Sequence, residues 1–183
     1  LKIVAEKCGI PMPKVSSRDE KLGRERDGLM EVYARAADFY KRRLGTPEAA
    51  AARQILEERD IKPEFAERFG VGYAPPYGLL KTLNPTNPKK TGLFLENDRG
   101  DIYDRFRRRL MFPIWNERGK VIAFGGRIVG DGQPKYLNSP ESPLYSKSFV
   151  LYGVHLAKNE ARKAEKMVVV EGYFDVLSLH QNG

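Results

Sequence analysis

The chain has 183 residues, of which 41% are apolar and 31% charged, and its net charge is +8. That is apolar material for one good-sized core or two small ones, and a cationic excess that suits a polyanion without choosing between nucleic acid and a membrane surface. No apolar run approaches the ~18 residues of a membrane span, no signal-peptide pattern opens the chain, and the lone Cys8 excludes an internal disulfide, as suits a reducing cytoplasm.

Residues 1–10, LKIVAEKCGI, read as the last turn of a helix ending at Gly9. The polar stretch that follows, PMPKVSSRDEKLGRERDG, reads as a linker after a preceding domain. From Leu29 the spacing turns helical. Leu29, Val32, Tyr33, Ala36, Phe39, Tyr40 and Leu44 form one stripe, and Gly45 stops it. Thr46-Pro47 gives an N-cap and a first-turn proline for an Ala-rich helix to Arg59, and a short helix over 63–69 ends at Gly70. Phe39, Tyr40, Phe65 and Phe69 are expected in the core. LNPTNPKKTG is a proline-broken loop. GLFLE, RLMFPIW and KVIAFGGRIV then read as strands of a meander, punctuated by the turn signals NDRG and NERG. LYGVHLAKNEARKAEK reads as a helix, MVVV as a strand and YFDVLSLHQ as a helix stopped by Asn182-Gly183, an order that suggests the start of a parallel α/β layer. His155 and His180 have neither a cysteine nor a second histidine at ligand spacing, which gives no zinc site.

Three groups of residues carry candidate chemistry. If MVVV is a buried strand, Glu171 lies at its C-terminal edge, where parallel sheets bind ligands, Gly172 permits a tight turn, and Asp175 falls in the next helix's first turn. Two carboxylates placed so can hold a divalent cation or do acid/base work; equally, Glu171 is a solvated strand-end residue and Asp175 a partner of the helix dipole. In YDRFRRRLMFPI, strand alternation puts Arg105, Arg107 and Arg109 on one face and Phe106, Arg108 and Leu110 on the other. Such a face is either solvated or laid against an anion. In GGRIVGDGQPKYLNSPESPLYSK, Arg127 and Lys135 suit phosphate, Tyr136 suits base stacking, and Asn138 suits hydrogen bonding to a base, the mixture of a single-strand track. The segment 99–147 holds ten Lys/Arg against five Asp/Glu, an excess of +5 and most of the chain's total; a basic β-layer with ordered turns is the alternative.

Together these blocks resemble the bacterial replicative primase family (DnaG-type). YDRFRRRLMFPI, GKVIAFGGRIVGDGQPKYLNSPES and LYG resemble its RNA-polymerase core, ARQILEERDI the helical region ahead of it, and EGYFDVLSL the opening of its TOPRIM module. The resemblance implies an α+β N-terminal subdomain of a primase polymerase core over 28–150, with a basic ridge, followed by the truncated start of a TOPRIM α/β module over 151–183. Residues 1–27 would be the end of an upstream zinc-binding domain and a linker. It implies synthesis of RNA primers on single-stranded DNA during replication by the whole protein, in the cytoplasm at the replication fork and away from any membrane. Template and ribonucleoside triphosphates would be held by Arg59, Arg105, Arg107, Arg127, Lys135, Tyr136, Asn138 and Lys147. Glu171 would be catalytic, and Glu171 and Asp175 would hold Mg²⁺ or Mn²⁺ with acidic residues beyond Gly183. Zn²⁺ and the replicative helicase would belong to upstream and C-terminal domains outside the chain. By this reading the chain binds single-stranded DNA and nucleotides but is catalytically incomplete. Another TOPRIM enzyme, such as a topoisomerase or nuclease, and a pure nucleic-acid-binding module are the remaining alternatives.

Overall fold

The computed structural model describes Cys8, which is exposed, and residues 16–183. The helix end expected over 1–10 and the first part of the expected linker lie outside the described residues. The rest of that linker is helical. Helix α1 spans Ser17–Leu44, with the Ser16 hydroxyl accepting the Asp19 N–H at 3.1 Å and Asp19 and Glu20 in its positively poled first turn. Its early turns are mostly exposed, so no apolar stripe announced them; capping and charge placement carry that part. The predicted stripe carries the rest, burying Tyr33, Ala36, Phe39 and Tyr40.

A 3₁₀ turn, Pro47–Ala49, leads into α2 (Ala50–Glu58), and α3 (Pro63–Arg68) ends before Gly70 at φ +65°. Of the four aromatics expected in the core, Phe39, Tyr40 and Phe69 are buried and Phe65 is half-buried. Strand β1 (Gly72–Ala74) and helix α4 (Leu79–Leu83) escaped the sequence pattern. Each is too short to show a period, and α4 is held from outside. The buried Asp104 accepts the N–H groups of Leu79 and Leu80, both at 2.9 Å, while Arg35 Nη2 donates to the carbonyls of Thr82 and Leu83.

Of the expected meander, β4 (Arg109–Trp115) and β5 (Val121–Ile128) pair as read, whereas GLFLE leaves it: β2 (Phe94–Glu96) forms a separate hairpin with β3 (Ile102–Asp104), and β6 (Tyr136–Asn138), in a stretch read as a loop, takes the place beside β5. β1 joins the other edge, beside β4, giving an antiparallel sheet ordered β1-β4-β5-β6. In both predicted turns an asparagine carbonyl accepts two backbone N–H groups: Asn97 from Arg99 and Asp101, and Asn116 from Arg118 and Lys120. α1 covers one face of the sheet, over Met111 and Phe124; α2, α3 and the last helix cover the other, over Leu110 and Phe112.

α5 (Val154–Ala164) and α6 (Tyr173–Asn182) form as expected. The strand between them does not. Residues 166–170 are without regular structure, and Val168 and Val169 are 72% and 69% exposed. No described strand runs beside them, and a strand without a ladder partner leaves its amides to water. The parallel layer expected here is therefore absent among the described residues, whose strands all pair antiparallel. No helix among these residues is long and apolar enough to cross a membrane.

Where α5 meets the sheet, His155 stacks on Trp115 with centroids 5.2 Å apart, and His180 meets the edge of Phe69 at 5.1 Å. Burial lowers the pKa of both imidazoles; His180 and Lys158 add to the effect at His155, and Arg68 at His180. A lowered folded pKa favours the neutral ring, so the unfolded chain binds more protons. Stability is then complete above the unfolded value of ~6.5 and is lost as pH falls from there through the lowered folded value. Thermal melts are expected to fall between about pH 7 and pH 5.5, with His155→Gln flattening the decline. Trp115 is the chain's one tryptophan, so its fluorescence should be quenched as the pH falls through the lowered folded value of His155. A melting temperature unchanged over the pH interval of the melts would refute the assignment.

Candidate nucleic-acid interface

The face of the sheet beneath α6 gathers most of the candidate residues. Cross-strand pairing aligns Phe112, Gly125 and Asn138 in one row and Leu110, Arg127 and Tyr136 in the next. Residues in register share a face, so Arg127, Tyr136 and Asn138 all rise on the side where α6 docks. Two adjacent aromatics dock it. Tyr173 stacks on Phe112 at 4.7 Å with an interplanar angle of 5°, directly above Gly125, and Phe174 meets the same ring edge-on at 5.4 Å. Each such ring pair is worth about 0.5–1.5 kcal/mol beyond the area it buries.

Phe174 also collects two cations. Arg59, the residue capping the end of α2, and Arg127 place their guanidinium carbons 5.2 and 6.0 Å from its centroid. Neither forms an ion pair with a carboxylate among the described residues. The Arg127 Nε is buried and makes no hydrogen bond there. Two cations sharing a ring repel each other, and an anion laid across them would relieve that repulsion.

The triple-arginine face does not form. Residues 105–108 are a bend between β3 and β4, with Arg108 at φ +50°, so strand alternation does not apply. Phe106 and Arg109 turn inward to 1% and 5% exposure against Gly126, where Arg109 Nη1 donates to the Gly126 carbonyl at 3.1 Å. Arg105 is half-buried, which lowers its pKa, and its Nη2 donates to the Asn138 carbonyl at 3.3 Å. Arg107 lies exposed over Tyr103, 4.9 Å from the ring centroid. Lys135 is exposed, its carbonyl accepting the Ile128 N–H as β6 begins.

A cleft of about 1030 Å³ is lined mostly by α5, residues 166–172 and α6, and reaches β6 and Lys147. Tyr136, Asn138, Lys147, Glu171 and Asp175 line it. Tyr136 is 41% exposed, with its ring 6.3 Å from that of Tyr173. Asn138 Oδ1 accepts the Tyr173 hydroxyl at 2.8 Å. Lys147 is exposed, its backbone N–H donating to Glu141. Glu171 is exposed and has no partner among the described residues, and Asp175 accepts the Gly172 N–H at 3.1 Å as the cap of α6. Glu171 is thus positioned by a helix start rather than by a strand end. No three metal-ligating side chains cluster among the described residues.

Sequence reasoning missed Tyr173, Phe174 and Gly125, although signals for them exist. An aromatic pair directly after Glu171-Gly172 opens α6. Gly125-Gly126 in the middle of a strand marks a close approach by other groups.

Residues 39–158 match the family described as the DNA primase catalytic core, N-terminal domain. The chain is 42% identical to the DNA primase of Pseudomonas aeruginosa over 196 residues, covering 98% of this chain and 29% of that protein. It is 43% identical to the DNA primase of Escherichia coli K12 over 166 residues, covering 87% and 29%. A solved structure of the DnaG primase catalytic domain bound to ssDNA matches with a TM-score of 0.81 at 42% identity, over 87% of this chain and 54% of that one. The chain therefore spans 29% of the length of these two curated relatives.

Proposed function

Because the chain belongs to the family of the DNA primase catalytic core, N-terminal domain, we propose that it is the template- and nucleotide-holding part of an enzyme that makes RNA primers on single-stranded DNA. The observation that carries this reading is the pair Arg59 and Arg127 over Phe174, without a carboxylate among the described residues, beside the row of Tyr136 and Asn138. Guanidinium groups hold phosphate, an exposed tyrosine stacks on a base, and an amide reads an edge or a hydroxyl. Lys135 and Lys147 extend the charge, and Arg105 and Arg107 reinforce the adjoining bend.

The reaction is nucleotidyl transfer: a ribose 3′-hydroxyl attacks the α-phosphate of an incoming ribonucleotide, the new O–P bond forms, and pyrophosphate leaves. Glu171 and the free oxygen of Asp175 are hard donors of the type Mg²⁺ or Mn²⁺ takes. They fit such an ion as part of a ligand set. A bound divalent cation supplies charge stabilisation to the phosphoryl group. This chain's residues hold and orient: Arg59 and Arg127 place phosphate, Tyr136 and Asn138 place a nucleotide unit, and Glu171 faces the same cleft. Glu171 and Asp175 are two donors of a larger set, and by this reading the chain on its own binds single-stranded DNA and nucleotides without synthesising primers. For the whole protein we place the α+β subdomain at 28–150 and the opening of a TOPRIM module at 151–183. Zinc is assigned to an upstream domain and the replicative helicase to a C-terminal one.

The test is fluorescence anisotropy of the chain with labelled single-stranded DNA across a salt series. Log affinity should fall linearly with log salt, and Arg127→Ala and Lys135→Ala should each weaken binding and flatten the slope by about one unit. Variants that bind with the wild-type affinity and slope would remove the ridge from the template path.

A further inference from the structure

The Tyr173 ring is held from three sides. It lies flat on Phe112, stands at 90° to Tyr152 with centroids 4.8 Å apart, and sits where Gly125 leaves no side chain. Its hydroxyl direction is therefore set by packing, and it points at Asn138 Oδ1. Asn138 is held as well. Its backbone pairs with Gly125 across the β5–β6 ladder, and its carbonyl accepts from Arg105. Burial keeps Tyr173 protonated by raising its pKa, so the phenol carries a proton that needs an acceptor. Only one orientation of the Asn138 amide supplies it: oxygen toward Tyr173. Turning the amide over would face the hydroxyl with N–H groups and take away the acceptor it uses. In the observed orientation Nδ2 makes no hydrogen bond among the described residues and is not among the buried unpartnered atoms, so its N–H donors are accessible on a residue that lines the cleft.

We propose that Tyr173 is a positioning residue that locks the Asn138 amide with its N–H₂ group facing the cleft, so that the site accepts a hydrogen-bond acceptor of its ligand: a base carbonyl or ring nitrogen, a sugar oxygen or a phosphate oxygen. The inference deepens the nucleic-acid reading above and rests on it. It also ties the two halves of the site together, because Tyr173 lies two residues after Glu171. The turn that carries the carboxylate and the strand that carries Tyr136 and Asn138 are coupled through that one hydrogen bond.

Tyr173→Phe removes the hydroxyl and keeps the ring, so the Phe112 stack persists and the thermal melt should stay close to that of the wild type. Two probes separate the two sources of the acceptor: a fluorescein-labelled single-stranded oligothymidylate for template, and ATP for nucleotide. The probe whose acceptor Asn138 holds should bind roughly fivefold more weakly to Tyr173→Phe. In an Asn138→Ala background the same substitution should change nothing, because Tyr173 acts through Asn138. In ¹⁵N NMR the Asn138 side-chain N–H₂ signals should shift in Tyr173→Phe. Unchanged affinity for both probes, a full additional loss on top of Asn138→Ala, or unmoved Asn138 signals would each overturn the inference. Arg127→Ala, run alongside, separates the two ideas. If it weakens binding and Tyr173→Phe does not, the positioning role alone falls. If it binds like wild type while Tyr173→Phe weakens binding, the ridge falls and the positioning role survives.

Discussion

Gly125→Ala is expected to lift α6 off the sheet. A methyl group at this position would sit 2.2 Å from the Tyr173 hydroxyl and 2.4 Å from the adjoining ring carbon. The ring cannot slide away cheaply, because it is stacked on Phe112 and edged by Tyr152. Either Tyr173 leaves its slot, losing the stack and the bond to Asn138, or β5 bows. Overpacking of this kind costs about 1–3 kcal/mol and the lost stack roughly 1 more. At about 3 kcal/mol in total, a chain of this size should melt roughly 6–12 °C lower. Hydrogen exchange in α6 should rise with it. The double variant Gly125→Ala/Tyr173→Ala should be less destabilised than the sum of the single ones, because removing the ring removes the clash. Strict additivity, or a wild-type melt for Gly125→Ala, would show that the slot is looser than its geometry states.

Gly72→Ala should have the larger effect on the fold itself. Gly72 opens β1 where the strand passes under α1. An added Cβ would lie 2.5 Å from the Tyr40 carbonyl carbon and 2.8 Å from the Lys41 nitrogen. Those are helix backbone atoms, which no rotamer change moves. The strand cannot retreat either, since Gly72 is paired with Met111 of β4. The whole of α1 must stand off, and with it the packing of Tyr33, Ala36, Phe39 and Tyr40 against Phe124 and Met111. A loss of about 3–4 kcal/mol is expected. In urea this should appear as a lowered midpoint with an unchanged slope. A midpoint equal to that of the wild type would mean that α1 and β1 are not locked together.

The helical stripe from Leu29 to Leu44, the β4–β5 strands, the two asparagine turns, and helices α5 and α6 were legible because each has a period or punctuation of its own. Local patterns of that kind report local geometry. The sequence missed the first turns of α1, which are held by a cap and charges rather than by an apolar stripe. It also misjudged residues 105–108, where alternation suggested a strand. One left-handed residue, Arg108, breaks the alternation and sends Phe106 and Arg109 inward.

Residues 167–170 show the same division from the other side. Their composition is that of a buried strand, yet a strand exists only as a ladder, and no described strand pairs with them. Chain composition alone determined that the molecule is basic, that 99–147 holds most of that charge, and that its phosphate-binding and stacking residue types fall in one stretch. The blocks YDRFRRRLMFPI and PKYLN were also enough to point to the primase family, because long runs of matching residues do not need a fold to be compared. Only the tertiary structure decided which of the candidates meet: Arg59 from one helix and Arg127 from a strand over the ring of Phe174, and Tyr173 against Asn138. Those partners are 115, 47 and 35 positions apart in the chain, and separations of that length are bridged by packing, which no short-range pattern encodes.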